Sequence, residues 1–297
     1  MFHFVDRILQ LEPGKHALGV RHITDSDPFV LYEEGRRPQL APSIIGEALG
    51  QLGAWNVMAA NGFTLRPVAG IARNVRIVGE AGPGDTLVLD TTIESFDDEI
   101  VTYYSVATVR GAEVLVIEEG LGPFLPLEEF NDPEEVSRHF DRIYRPGSLA
   151  EALEDTPAVE GARQPDSSWL ELDEILSWEA GQEAAASTRI SDEWTFFDDH
   201  FPRKRVLPLS MLVQGLLGLG ERLLAGQPPA PPEGSLRPKR LRNVKMSQFV
   251  EPGQTVVAMA KVKEKTDAQA RLSFRCEVDG KRVCIAEIDF AATLEDD

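Results

Sequence analysis

The chain has 297 residues, 42% of them hydrophobic and 27% charged, which is enough for two modest domains with separate cores. Its formal charge of −19 excludes general nucleic-acid binding, because phosphate contacts need clustered positive charge. No segment approaches the roughly 20 apolar residues of a membrane span; the longest candidate, Leu207 to Ala225, is interrupted by Gln214, Glu221 and Arg222.

The opening residues have no basic stretch followed by an apolar run, so no signal peptide is expected. The two cysteines, Cys276 and Cys284, have neither zinc nor disulfide-framework spacing and read as strand residues flanking a turn. A cytoplasmic protein without metal or cofactor is the expectation. Charge is uneven: residues 203–245 hold nine Lys/Arg against two Glu, a local +7.

In chain order, Phe4 to Leu11 reads as a short helical or turn segment, and His16 to Ile23 as a first strand. An irregular loop leads to Pro42-Ser43, where Pro suits a first helical turn and Ser an N-cap. Ile44, Ile45, Ala48, Leu49, Leu52, Trp55 and Met58 then recur at helical spacing. That helix is apolar over most of its circumference, so burial is expected. The strands Leu87 to Ile93, Ile100 to Val109 and Val114 to Gly120 follow, with a hairpin turn at Arg110-Gly111-Ala112. An acidic linker over 127–168, with one short helix from Pro133 to Tyr144, separates a domain at 1–126 from one at 169–297.

The second domain repeats the first. Asp6, Ile8, Leu9, Glu12 and Gly14 recur as Asp173, Ile175, Leu176, Glu179 and Gly181, at an offset of 167. The same offset carries Phe29 to Phe196, Glu33 to His200 and Glu47 to Gln214. Asn74-Val75-Arg76 and Pro83-Gly84 match Asn243-Val244-Lys245 and Pro252-Gly253 at an offset of 169. The Pro228 to Pro232 stretch is where two residues enter. Leu172 to Ser177 is again read as helix or turn, Glu183 to Ile190 as a strand, Leu209-Ser210 as a helix start and Asp279-Gly280 as a hairpin turn. A buried helix followed by an antiparallel sheet is α+β, with the sheet wrapping the helix.

Glu47 sits one turn into the apolar helix, where a carboxylate needs a partner or a task, and Gln51 is placed four residues on to hold it. His200 lies in a loop before the second helix. A lone histidine there reads first as a structural side chain hydrogen-bonded at a turn. His3, His16, His22 and His139 have no constellation in the sequence.

His200-Phe201-Pro202, with Pro208 eight residues on and Gln214 fourteen residues on, resembles the signature of (3R)-hydroxyacyl-ACP dehydratases of the FabA/FabZ type. Ile44 to Gln51 resembles the helix of the same family, with Glu47 at the acid position. The resemblance implies a tandem hotdog whose copies form an intramolecular pseudo-dimer, compatible with a monomer or a homodimer. It also implies that the histidine of one copy meets the acid of the other. The first copy has Glu33 where the histidine belongs, and the second has Gln214 where the acid belongs. His200 and Glu47 would therefore complete one site, and the degenerate Glu33 and Gln214 would occupy a dead one.

In the implied reaction, dehydration of a 3-hydroxyacyl thioester, His200 is the base and Glu47 the acid. The helix start at Leu209 and Ser210 would supply backbone N–H groups for the enolate oxygen. Leu209 and Arg203 stand where the family has glycine. Arg203, Lys204 and Arg205, with Arg237, Lys239 and Arg240, form a basic patch suited to an acidic acyl carrier protein or to coenzyme A phosphates. The rival expectations are a hotdog thioesterase using Glu47 and a non-catalytic acyl-binding or scaffold protein.

Overall fold

The computed structural model of the chain describes residues 3–68, 70–154, 172, 174–226 and 236–292. In the first half the elements are β1 (Arg7–Glu12), β2 (His16–His22), β3 (Val30–Leu31), β4 (Gln39–Leu40), α1 (Pro42–Ala60), β5 (Leu65–Pro67) and β6 (Ile71–Ile77). There follow β7 (Thr86–Phe96), β8 (Ile100–Val109), β9 (Ala112–Pro126), a 3-10 turn at Leu127–Glu129, α2 (Pro133–Ile143) and α3 (Leu149–Glu154). The second half has β10 (Glu174–Glu179), β11 (Glu183–Arg189), α4 (Phe197–His200), α5 (Leu209–Ala225), β12 (Leu236–Met246), β13 (Thr255–Lys265), β14 (Gln269–Val278) and β15 (Lys281–Ala292).

Contacts divide the chain into two compact units. The first takes Met1–Ala69, Val78–Ser168 and Thr195–Arg205, and the second takes Gly70–Ile77, Trp169–Trp194 and Val206–Asp297. The segment carrying His200 thus belongs to the same unit as α1 and Glu47.

In the first unit an antiparallel sheet runs β1-β2-β7-β8-β9. It curves around α1, which packs on β2, β7, β8 and β9. Ile44, Ala48, Leu49, Leu52 and Val57 of this helix have no exposed surface. Each fully buried Leu or Ile contributes about 1.5–3 kcal/mol, so the apolar circumference is what drives the helix inside. In the second unit the order is β6-β12-β15-β14-β13-β11-β10, with α5 on β11, β12 and β13. Each unit is a buried helix wrapped by antiparallel strands, and the chain is a double hotdog.

The duplication reaches the irregularities. A bulge between Ile8 and Gln10 in β1 recurs between Ile175 and Ser177 in β10, and one between Ile93 and Ser95 in β7 recurs between Val262 and Glu264 in β13. Both hairpin turns have left-handed residues throughout, Arg110 and Gly111 at φ 51° and 83° and Asp279 and Gly280 at 50° and 72°. This is the backbone that two-residue hairpins prefer.

Two sequence expectations are corrected. The segments Phe4 to Leu11 and Leu172 to Ser177 hold strands, Arg7–Glu12 and Glu174–Glu179, rather than helices or turns. The β1 bulge buries Ile8 and Leu9 side by side, which breaks strand alternation and imitates a helical pattern. Ser43 and Ser210 lie inside their helices and are not caps. Ala41 and Pro208 take the N-cap positions, with no side-chain cap hydrogen bond. The helix expected after Pro133 is α2, and α3 follows it. Their Val136, Phe140, Ile143 and Ala152 are buried, so residues 127–154 are packed structure. The Pro228 to Pro232 stretch and residues 155–168 of the expected linker lie outside the described residues.

Candidate active site

The site grows from the polar residues of α1. Gln51 Nε2 donates to Glu47 Oε1 at 3.1 Å, and Gln51 Oε1 accepts the Phe4 backbone N–H at 2.9 Å. Glu47 is half-buried and Gln51 buried. The i, i+4 spacing puts both on one helix face, as the sequence implies.

Beyond Gln51 a cavity of about 340 Å³ opens within the first unit, walled by Gln51, Trp55 and Met58 of α1, Arg66 of β5, His139 of α2 and His200. Glu47 is not in its wall. It stands one helical turn, about 6 Å, from Gln51 along the axis. His200 ends α4, is 9% exposed, and stacks on Phe201 with ring centroids 3.9 Å apart. Burial, with the positive charge of Arg66 and the neighbouring His3, holds the His200 pKa well below the usual histidine value. His200 is therefore a neutral imidazole at physiological pH, the form in which it can accept a proton.

The sequence gives no constellation around His3 and His139, and the fold supplies one. Their rings stack at 4.4 Å, and His139 stacks on Trp55 at 5.4 Å. Burial first, then His139, pushes the His3 pKa down to about 4. His16 and His22 lie elsewhere, on Asp90 (3.1 Å) and Thr86 (2.8 Å). No sequence motif marks Arg66. Its Cζ lies 4.5 Å from the Phe201 ring centroid, and its Nη1 donates to Asn131 Oδ1 at 2.8 Å. Burial lowers its pKa to about 10, and Glu47 counters by favouring its charge. Tyr103 is raised to about 12 by burial and then by Glu47.

The loop after His200 is tied to the start of α2. Arg203 Nη2 pairs with Asp132 Oδ2 at 2.6 Å, and its backbone N–H donates to Phe130 O at 3.0 Å. Lys204 lies 3.6 Å from Glu129 and over the Phe130 ring, and Arg205 pairs with Asp198. In the second unit Arg237 pairs with Glu221 at 3.2 Å, while Lys239 and Arg240 are half-buried on β12. The charge these residues present outward is thus smaller than their number implies. Leu209 and Ser210 open α5 in the second unit, where Met211 and Leu212 donate back to Pro208 O. Glu33 pairs with Arg36 at 3.4 Å, and Gln214 is half-buried on α5. Cys276 and Cys284 are buried and opposite each other on β14 and β15. Among the described residues there is no cluster of three or more His, Cys, Asp or Glu placed to hold a metal ion, and no helix long and apolar enough to cross a membrane.

A buried helix in a wrapped sheet defines a hotdog protein, and this one carries a carboxylate on that helix and a histidine at the end of α4 rather than in a loop. The ApeI-like family, described as ApeI dehydratase, matches residues 177–287. A 3-hydroxyacyl-[acyl-carrier-protein] dehydratase FabZ from Caldanaerobacter subterraneus subsp. tengcongensis is 35% identical over 120 residues, 40% of this chain and 84% of the relative. The chain belongs to the FabZ-like dehydratase family. Solved structures align over most of its length. A protein described as an oleoyl thioesterase from Lactobacillus plantarum has a TM-score of 0.57 at 14% identity, covering 94% of this chain and 97% of its own. A MaoC-like dehydratase has a TM-score of 0.51 at 13% identity, covering 86% and 84%. At such identities the likeness speaks for the fold alone.

Proposed function

We propose that the chain dehydrates a 3-hydroxyacyl thioester carried on an acyl carrier protein, and catalyses the reverse hydration, at one composite site. His200 removes the α-proton, and Glu47, held by Gln51, gives a proton to the leaving 3-hydroxyl. The observation that carries this reading is the placement of His200, from the second copy, on the same cavity as Gln51, from the first copy, with Gln51 bonded to Glu47. The depressed pKa of His200 keeps its ring neutral, the form that accepts a proton. Membership of the FabZ-like family favours this reaction over the others hotdog proteins perform. The carrier, an acidic protein or coenzyme A, would approach the basic residues Arg203, Lys204, Arg205, Arg237, Lys239 and Arg240. Among the described residues no acid pairs with Lys239 or Arg240.

A thioesterase is the second reading. Glu47 electrostatically supports the Arg66 cation, and a carboxylate so placed could instead activate water. Product analysis separates the two. Incubation with 3-hydroxydecanoyl-ACP should give the 2-enoyl thioester, detected by its ultraviolet absorbance and by mass spectrometry. Release of free 3-hydroxydecanoic acid with no enoyl product would replace dehydration by hydrolysis.

A further inference from the structure

Arg66 is a sheltered cation with no hydrogen-bonded counter-ion among the described residues. Among the described residues no carboxylate lies within ion-pair distance of it; it donates to the Asn131 amide oxygen and lies over the face of Phe201. Its Nε is sealed from water and makes no hydrogen bond. Arg21 in the same unit shows the contrasting structural solution. It too has a sealed Nε, but its terminal nitrogens pair with Asp6 at 2.9 Å and with Asp27. Sheltering a guanidinium without a carboxylate is costly, and such sites are retained where the charge has work to do. Arg66 projects from β5 into the wall shared with His200 and Gln51, within electrostatic reach of both His200 and Glu47. With His200 and Glu47 as base and acid, Arg66 stands beside the reacting carbons.

We propose that Arg66 is a catalytic residue of the dehydration, donating a hydrogen bond to the thioester carbonyl oxygen and stabilising the enolate. This rests on the function proposed above. His200 takes the α-proton, and the C–H electron pair moves into the enolate, whose oxygen is held by Arg66. As the enolate collapses, its electron pair forms the C2–C3 double bond and the C3–O bond breaks. Glu47 delivers its proton to the departing hydroxyl, which leaves as water. His200 returns its proton to solvent and Glu47 regains one, so the enzyme is unchanged. The hydrogen-bonded anionic partner that Arg66 lacks in the free protein arrives with the transition state, which is the condition for catalysis by differential binding.

The test compares wild type with Arg66→Gln and Arg66→Lys on 3-hydroxydecanoyl-ACP. It measures kcat, KM and deuterium exchange into C2 of the recovered substrate. Arg66→Gln should lower kcat by about 10²–10³-fold, the loss typical of an oxyanion donor, with KM changed by less than about three-fold. C2 exchange should fall in parallel, and Arg66→Lys should keep part of the rate. If Arg66→Gln does not fold, Arg66→Ala with added guanidinium gives the same answer, expected as rescue of kcat. A folded Arg66→Gln with wild-type kcat and exchange overturns the role of Arg66 and leaves the proposed function standing. So does a loss confined to KM, or the absence of any rescue. A wild type that forms no enoyl product overturns the function itself.

Discussion

Gln51 holds Glu47 with one end of its amide, at 3.1 Å, and the Phe4 backbone with the other, at 2.9 Å. The chain's first residues thereby brace the helix carboxylate. Gln51→Leu removes both bonds and leaves a buried N–H unsatisfied, a loss of about 1–3 kcal/mol. Urea denaturation should show that loss, and dehydration should slow about ten-fold as Glu47 loses its orientation. Unchanged stability would mean that the Phe4 N–H finds water instead.

The histidines set the acid response. Burial holds His200 well below the usual histidine pKa and His3 at about 4, so the unfolded chain binds protons first as pH falls. Stability should therefore be full above about pH 6.5, decline as pH drops below it, and stop declining on this account near the folded values. Melting temperatures across pH 7.5 to 4 check the slope, which His3→Gln should flatten. The acid limb of activity should fall below pH 6.5. A limb at or above 6.5 contradicts a depressed base.

Asp132 serves two elements. Its Oδ1 caps α2 by accepting from Glu134 and Glu135, and its Oδ2 takes Arg203. Asp132→Ala should cost about 1–2 kcal/mol through the cap. Arg203→Ala loses an exposed ion pair and an exposed hydrogen bond to Glu128 O, together about 1 kcal/mol. Chemical denaturation of both variants should rank them in that order.

Glycines of α5 differ in what surrounds them. A Cβ on Gly220 would meet Phe290 Cζ at 2.4 Å and Phe274 Cζ at 3.1 Å, while one on Gly218 meets nothing within 4 Å. Gly220→Ala should destabilise by about 1–3 kcal/mol through overpacking. Gly218→Ala should stabilise by up to about 1 kcal/mol through helix propensity. Thermal unfolding of the pair checks both signs.

Much of this fold is legible because it is written twice. The offsets of 167 and 169 place both helices and both hairpin turns, and the structure repeats even the bulges at those offsets. The first strand of each copy is hidden by its bulge, which sets Ile8 beside Leu9. The packing of 127–154 is hidden because an acidic composition masks the three apolar residues, Val136, Phe140 and Ile143, that α2 buries. Glu47, Gln51 and His200 stand out through motif spacing and burial cost. Arg66, His3 and His139 do not, since they occur singly in unrelated segments and only tertiary folding brings them to one cavity. The basic run at Arg203 to Arg205 is conspicuous in sequence, yet each member meets an acid within the chain.

The most direct test of the account is the dehydration rate of His200→Asn, Glu47→Gln and the double variant on the same acyl-ACP. Two residues acting as one acid–base unit should each lose about 10²–10⁴-fold, and the double variant should be little worse than either single one. Multiplicative losses, or a His200→Asn variant with wild-type rate, would contradict a single composite site.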